Sequence, residues 1–218
     1  MTTSPPLQHG ASIVTSPLRA ISTTAAPPFP PAALRPLITE IAILLRQRGE
    51  SVSVAETAAG GIISASLLSF AGASKYYKGG LTLYTLESRI AFGGWTAENL
   101  KTYTGPTPAI VAGLAENVRE RLGSTYTVCE SGTAGPSGGD TPNRKPGYVA
   151  LAVSVNPSAD PNGPNSPHTI TKELDTELGG DREANMLRFA FEALILLRDV
   201  IRDRGSGASL AAGGAASS

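Results

Sequence analysis

A chain of 218 residues with 18 Lys and Arg against 18 Asp and Glu has no broad field to hold a nucleic-acid backbone or an anionic membrane, so any anion must be bound locally. That length suits one domain with or without tails, and the 41% apolar content can fill one core, while 24 Gly and 17 Pro require many turns or unstructured ends. The lone Cys129 excludes an intramolecular disulfide, and no apolar run approaches the roughly 20 residues of a membrane-spanning helix.

From Met1 to about Pro31 the chain is Ser, Thr, Pro and Ala without periodicity, and residues 1–31 are predicted to be disordered. The segment lacks acids and carries Arg19, a composition shared with transit peptides. A cytoplasmic location, which a single free thiol suits, is therefore expected, with a mitochondrial address as its alternative. The Gly, Ala and Ser stretch to Ser218 predicts a second unstructured tail over 204–218. Residues 32–203 form the predicted domain.

Leu34, Leu37, Ile38, Ile41, Leu44 and Leu45 recur at helical spacing and predict a helix from Ala32 to Arg48, ended by Gly49. Ser51 to Ala55 alternates as a strand, and Gly60 and Gly61 then turn the chain into a helix over Ile62 to Phe70. A strand is predicted over Leu81 to Tyr84, opened by Gly79 and Gly80. A helix follows over Pro108 to Leu122, with Thr107 as its cap and Pro108 in its first turn. Tyr126 to Glu130 and Tyr148 to Val155 read as strands, Asn156 to Pro167 as an exposed loop, and His168 to Glu173 as an edge strand. The last helix is expected from near Asp181 to Arg202, with Leu187, Ala190, Phe191, Leu194, Leu197 and Ile201 on one stripe. Helices interleaved with short strands predict a layered α/β/α domain with helices covering a central sheet.

Three places can carry chemistry. In SVSVAETAAGGIISASLLS, Ser51 to Ser69, a strand runs through a small-residue turn into a helix, the edge of an α/β sheet where ligands gather. Glu56 and Thr57 lie there, and the N–H groups about Gly60 and Gly61 could face an anion or oxyanion; an ordinary helix cap is the other reading. The turn SGTAGPSGG, Ser131 to Gly139, could cradle a phosphate with its N–H groups beside Thr133, or be structural; it lacks the Lys and Ser/Thr that close a P-loop. Gly180-Asp181-Arg182 opens the last helix, with Asp181 as its cap and Arg182 either a phosphate ligand or a surface group. The histidines, His9 and His168, form no metal cluster and no Ser-His-Asp triad.

Read together, these segments resemble the CinA C-terminal domain family over about Leu34 to Ile201. AETAAGG (Ala55 to Gly61) stands where that family reads AESCTGG, and FAGAS (Phe70 to Ser74) where it has a VPGAS-like stretch. GGLTLYTLESR (Gly79 to Arg89) matches its GG..YSN..K segment, and GTAGPSGG (Gly132 to Gly139) its GIAGPGG-like turn. Lys145-Pro146-Gly147 and the GDR before the closing helix complete the order.

The resemblance implies hydrolysis of the carboxamide of nicotinamide mononucleotide to nicotinate mononucleotide and ammonia, with no metal and no other cofactor. It maps the family's serine nucleophile to Thr57, its tyrosine to Tyr84 and its lysine to Arg89. Thr57 would be the nucleophile, Tyr84 a proton relay, and Arg89 electrostatic support or a holder of Tyr84, because a guanidinium stays protonated. Glu56, Gly60, Gly61, Thr133, Gly135, Gly138 and Arg182 would line the substrate site. Ala58, Ala59 and Leu86 replace the family's Cys, Thr and Asn. Two functions are consistent with this pattern: the amidase, or a catalytically silent nucleotide-binding or protein-interaction member of the fold. The expected partner is a small-molecule nucleotide, with no nucleic acid and no membrane, and the resemblance suggests a homodimer.

Overall fold

The computed structural model describes residues 29–156 and 168–206. The predicted unstructured ends, apart from their innermost residues, lie outside that set, as do His9 and the loop from 157 to 167.

A short 3-10 turn, Ala32–Leu34, leads into α1, Arg35–Arg48, which buries Leu37, Ile38, Ile41, Ala42 and Leu45 and ends where Gly49 takes φ 64°. β1 is Val52–Glu56 and α2 is Ile62–Leu68. β1 lies in the middle of the sheet with helices on both faces, so Ser53 and Ala55 are buried as fully as Val52 and Val54.

β2 runs over Tyr77–Thr82, earlier than the predicted Leu81 to Tyr84. The glycines placed at its mouth lie inside it. A Cβ on Gly80 would come within 2.5 Å of Ser64 Oγ and 2.6 Å of Tyr77 Oη, so close packing accounts for glycine there.

Two helices were not predicted, α3 (Leu86–Phe92) and α4 (Ala97–Thr102). Neither carries an apolar stripe: Arg89 is the sole buried residue of α3, and α4 buries none. α5, Pro108–Leu122, starts as predicted, the Thr107 hydroxyl accepting from the N–H of Ile110 with Pro108 in the first turn.

β3 (Tyr126–Gly132), β4 (Tyr148–Val155) and β5 (His168–Asp175) complete a five-stranded sheet of order β2-β1-β3-β4-β5, and α6 spans Arg182–Ser206. β2, β1 and β3 are parallel, and β4 and β5 are added antiparallel, leaving β5 at the edge. α1, α2 and α6 cover one face, where Ile41, Leu45, Ile63, Leu67, Phe189 and Leu194 meet the sheet. α5 covers the other through Val111, Leu114, Ala115 and Val118. The result is a three-layer α/β/α domain.

Because β5 is antiparallel to β4, it ends on the same side of the sheet as β1, β2 and β3. The connections β1–α2, β2–α3, β3–β4 and β5–α6 therefore converge on one edge of the sheet. Among the described residues no helix is long and apolar enough to cross a membrane, and no three His, Cys, Asp or Glu side chains gather as metal ligands.

Candidate functional site

At that edge the β1–α2 turn is organised by two buried carboxylates from neighbouring strands. Glu56 ends β1 and accepts the N–H groups of Gly61 and Ile63 on Oε2, at 3.0 and 2.9 Å, and that of Ser64 on Oε1 at 2.8 Å. Glu130, in β3, accepts the N–H groups of Thr57 and Ala59 on Oε2, at 3.1 and 2.9 Å. The N–H of Gly61, expected to face a ligand, is thus bound to Glu56. Gly60 lies beneath α6, where a Cβ would meet the Met186 methyl at 3.1 Å.

Glu130 was absent from the residues singled out in the sequence. Its pKa is raised to about 7, chiefly by burial; the N–H groups of Ala59 and Thr57 pull it down, and the Glu56 carboxylate adds to the rise. Its second oxygen, Oε1, is buried without a hydrogen-bond partner among the described residues. The available signal was a carboxylate at the end of a strand otherwise built for burial on both faces.

Thr57 is 3% exposed, and its hydroxyl donates to Ser131 Oγ at 3.1 Å. No described carboxylate, imidazole or amine accepts from it. Ser131 lay within the quoted Ser131 to Gly139 turn but without a role of its own.

Tyr84 and Arg89, five residues apart, do not pair. Tyr84 is 57% exposed, and its hydroxyl accepts from Arg182 Nη2 at 3.2 Å, while Arg182 Nη1 donates to the Gly135 carbonyl at 2.8 Å. Arg182 is therefore a strut between Tyr84 and the β3–β4 turn. Asn185 reinforces the same joint, donating to the carbonyls of Ala134 and Gly179 at 3.0 and 2.8 Å. Asp181 caps α6 as expected, accepting from the N–H of Ala184 at 3.1 Å.

Arg89 is 4% exposed and donates from Nε to the Leu83 carbonyl at 3.2 Å. Its guanidinium carbon lies 5.1 Å from the centre of the Trp95 ring and 5.3 Å from that of Tyr103, and Nη1 is buried without a hydrogen-bond partner among the described residues. It gives the site a fixed charge, and it does not hold Tyr84. Cys129 is buried nearby, and burial pushes its thiol well up, so it offers no thiolate.

Beyond Ser131 the surface opens into a cleft of about 260 Å³ lined by Tyr103, Gly132, Thr133, Ser137, Gly138 and Arg144, among others. Its floor is backbone. The N–H of Thr133 donates to the Tyr148 carbonyl at 2.9 Å, and that of Gly139 to the Arg144 carbonyl at 2.8 Å. A Cβ on Gly138 would strike the Arg144 carbonyl oxygen. Thr133 and Gly138 line the cleft, whereas Gly135 does not and accepts from Arg182 through its carbonyl. Tyr103, Ser137 and Arg144 were not anticipated; Arg144 falls just before the Lys-Pro-Gly step and has no sequence periodicity to mark it.

The comparisons with known proteins bear on the fold and the family. The model for the CinA C-terminal domain matches residues 34–201. A CinA-like protein of Chlorobium phaeobacteroides is 32% identical over 161 residues, 74% of this chain, and one of Rippkaea orientalis is 31% identical over 164 residues. The chain spans 36% of the length of each of these relatives. The competence/damage inducible protein CihA of Agrobacterium tumefaciens superposes with a TM-score of 0.67 at 26% identity, covering 79% of this chain and 97% of that one. The competence damage-inducible protein A of Klebsiella pneumoniae superposes with a TM-score of 0.66 at 24% identity, covering 77% of this chain and 96% of that one. With the family's model spanning residues 34–201, this chain belongs to the CinA C-terminal domain family.

Proposed function

We propose that this chain hydrolyses the carboxamide of a mononucleotide, nicotinamide mononucleotide, to the carboxylate and ammonia, with Thr57 as nucleophile. The observation that carries the reading is the hydroxyl of Thr57, aligned on Ser131 at 3.1 Å, with its backbone N–H held by Glu130 and the cleft beginning one residue past Ser131. As Thr57 Oγ1 attacks the carboxamide carbon, Ser131 takes its proton and passes its own to the departing nitrogen. Ammonia leaves, and water then cleaves the acyl-enzyme to the carboxylate, restoring both hydroxyls. Tyr84, oriented by Arg182, is the second hydroxyl available for proton relay, and Arg89 adds positive charge behind Tyr103. Glu56, Gly60 and Gly61 shape the turn that carries Thr57, Thr133 and Gly138 line the cleft, and Arg182 ties Gly135 to Tyr84. The reading includes a homodimer, which light scattering of the purified chain tests directly.

One observation favours the silent, ligand-binding alternative: Thr57 donates to another hydroxyl, and the position of the family's lysine is filled by a guanidinium bound to a backbone carbonyl. Ammonia release from nicotinamide mononucleotide, alongside ligand-induced thermal stabilisation, separates the two. The amidase reading expects ammonia that disappears in Thr57→Ala, and a gain of roughly 10²–10⁴-fold in Thr57→Ser/Arg89→Lys, where a lysine can act as base. Stabilisation without ammonia in either protein would leave only the binding function.

A further inference from the structure

The cleft beside Thr57 has a charge pattern that the family motifs do not explain. Among its lining residues Arg144 is the sole ionised group, and no acid lines it. Arg89 stands behind the Tyr103 wall, its guanidinium carbon 5.3 Å from that ring and Nη1 unpartnered among the described residues. The lining thus meets an anion with one exposed cation and no carboxylate.

The polar atoms around Arg144 narrow the ligand further. Thr133 and Ser137 add hydroxyls to the lining, and the Thr133 hydroxyl has only a long contact, 3.4 Å, to the Asn143 carbonyl, so it is little committed. A carboxylate meets a guanidinium fork in a single plane, whereas a phosphate monoester presents three terminal oxygens that do not share one plane. An arginine and two hydroxyl side chains on one lining suit a tetrahedral group with three terminal oxygens. Asn143 Nδ2, bonded to the Pro106 carbonyl at 3.1 Å, ties the Arg144 turn to the opposite wall. That tie fixes the distance between the walls before any ligand arrives.

Arg182, the arginine singled out from the sequence, has its two terminal nitrogens engaged by Gly135 and Tyr84. We propose that Arg144, with the hydroxyls of Thr133 and Ser137, binds the phosphate monoester of the ligand, while Arg182 positions Tyr84. The assignment of a nucleotide rests on the amidase reading above; the phosphate site itself rests on the cleft. It orients the ligand with its phosphate at Arg144 and its amide toward Thr57 and Ser131.

The test is thermal stabilisation at low salt by ribose 5-phosphate, ribose and nicotinamide mononucleotide, on the native chain, Arg144→Ala, Arg144→Lys and Arg182→Ala. Ribose 5-phosphate should raise the native melting temperature and ribose should not. Arg144→Ala should lose that rise with an unchanged melting temperature in the absence of ligand, because the side chain is exposed, and should weaken mononucleotide binding by about 10- to 100-fold. Arg144→Lys should recover part of it, and Arg182→Ala should keep it. A rise that survives in Arg144→Ala, an equal loss in both alanine variants, or no rise in the native chain overturns the assignment. Absence of ammonia from nicotinamide mononucleotide, with the rise still dependent on Arg144, would instead overturn the amidase reading and leave the phosphate site standing.

Discussion

The two glycine-rich turns at the carboxyl edge, Thr57 to Gly61 and Thr133 to Gly139, look alike in the sequence and behave in opposite ways. The first has five surrounding N–H groups captured by Glu56 and Glu130, and it is closed to an outside anion. The second has two of its N–H groups spent on backbone carbonyls and opens onto a cleft with an exposed arginine. A glycine-rich turn before a helix is a ready anion site only after the protein's own carboxylates have been subtracted. In this domain the subtraction leaves a rigid turn that holds Thr57, beside a concave turn that can take a ligand.

Removing the carboxylate that closes the first turn should have the largest effect. Glu56→Ala strands three N–H donors at a half-buried helix start and should cost about 3–5 kcal/mol in urea unfolding. A loss below about 1 kcal/mol would mean that water reaches those donors and that the turn is open after all.

Glu130→Gln tests the same turn through its pH dependence. An acid whose pKa rises on folding keeps more protons in the native state, so its contribution to stability falls as pH climbs from the ordinary 4.5 to about 7 and is level beyond. The span is roughly 3 kcal/mol at most. Relative to the native chain, the glutamine variant should therefore gain stability between pH 5 and pH 8. An identical difference at the two pH values would show that Glu130 does not titrate in that window.

The smallest change expected is on the open turn. Gly138→Ala presses a methyl onto the Arg144 carbonyl and within 2.8 Å of Pro146 Cδ, and should cost about 1–3 kcal/mol while displacing Arg144. Stabilisation by ribose 5-phosphate should fall with it. Full ligand response in a destabilised Gly138→Ala would separate the cleft from the conformation of its turn.

Much of this fold is legible in the sequence where one local rule decides. α1 announces its buried stripe and its Gly49 stop, α5 its Thr107 cap and Pro108, and β4 its continuous apolar run. α3 and α4 escape because short exposed helices leave no periodic face, and β2 begins early because its glycines serve packing across to Ser64 and Tyr77 rather than a turn. The site divides in the same way. The turns and Thr57 follow from composition and resemblance, whereas the choice of partner does not: Tyr84 pairs with Arg182, 98 residues away, and not with Arg89, five away. Which acceptor captures an N–H group is settled when strands are laid side by side, so Glu130 acquires its role from Thr57 and Ala59 across the β1–β3 boundary.

The register of the last two strands sets apart the two poles of the sheet. Val155 and His168 face each other at the end of the sheet where Tyr126 begins β3, opposite the edge that gathers Thr57, Tyr84 and Arg144. The connection between them thus leaves from the pole opposite the candidate site. A fluorophore attached at Asn156, the last described residue after β4, would therefore sit at the pole opposite Thr57 and Tyr84.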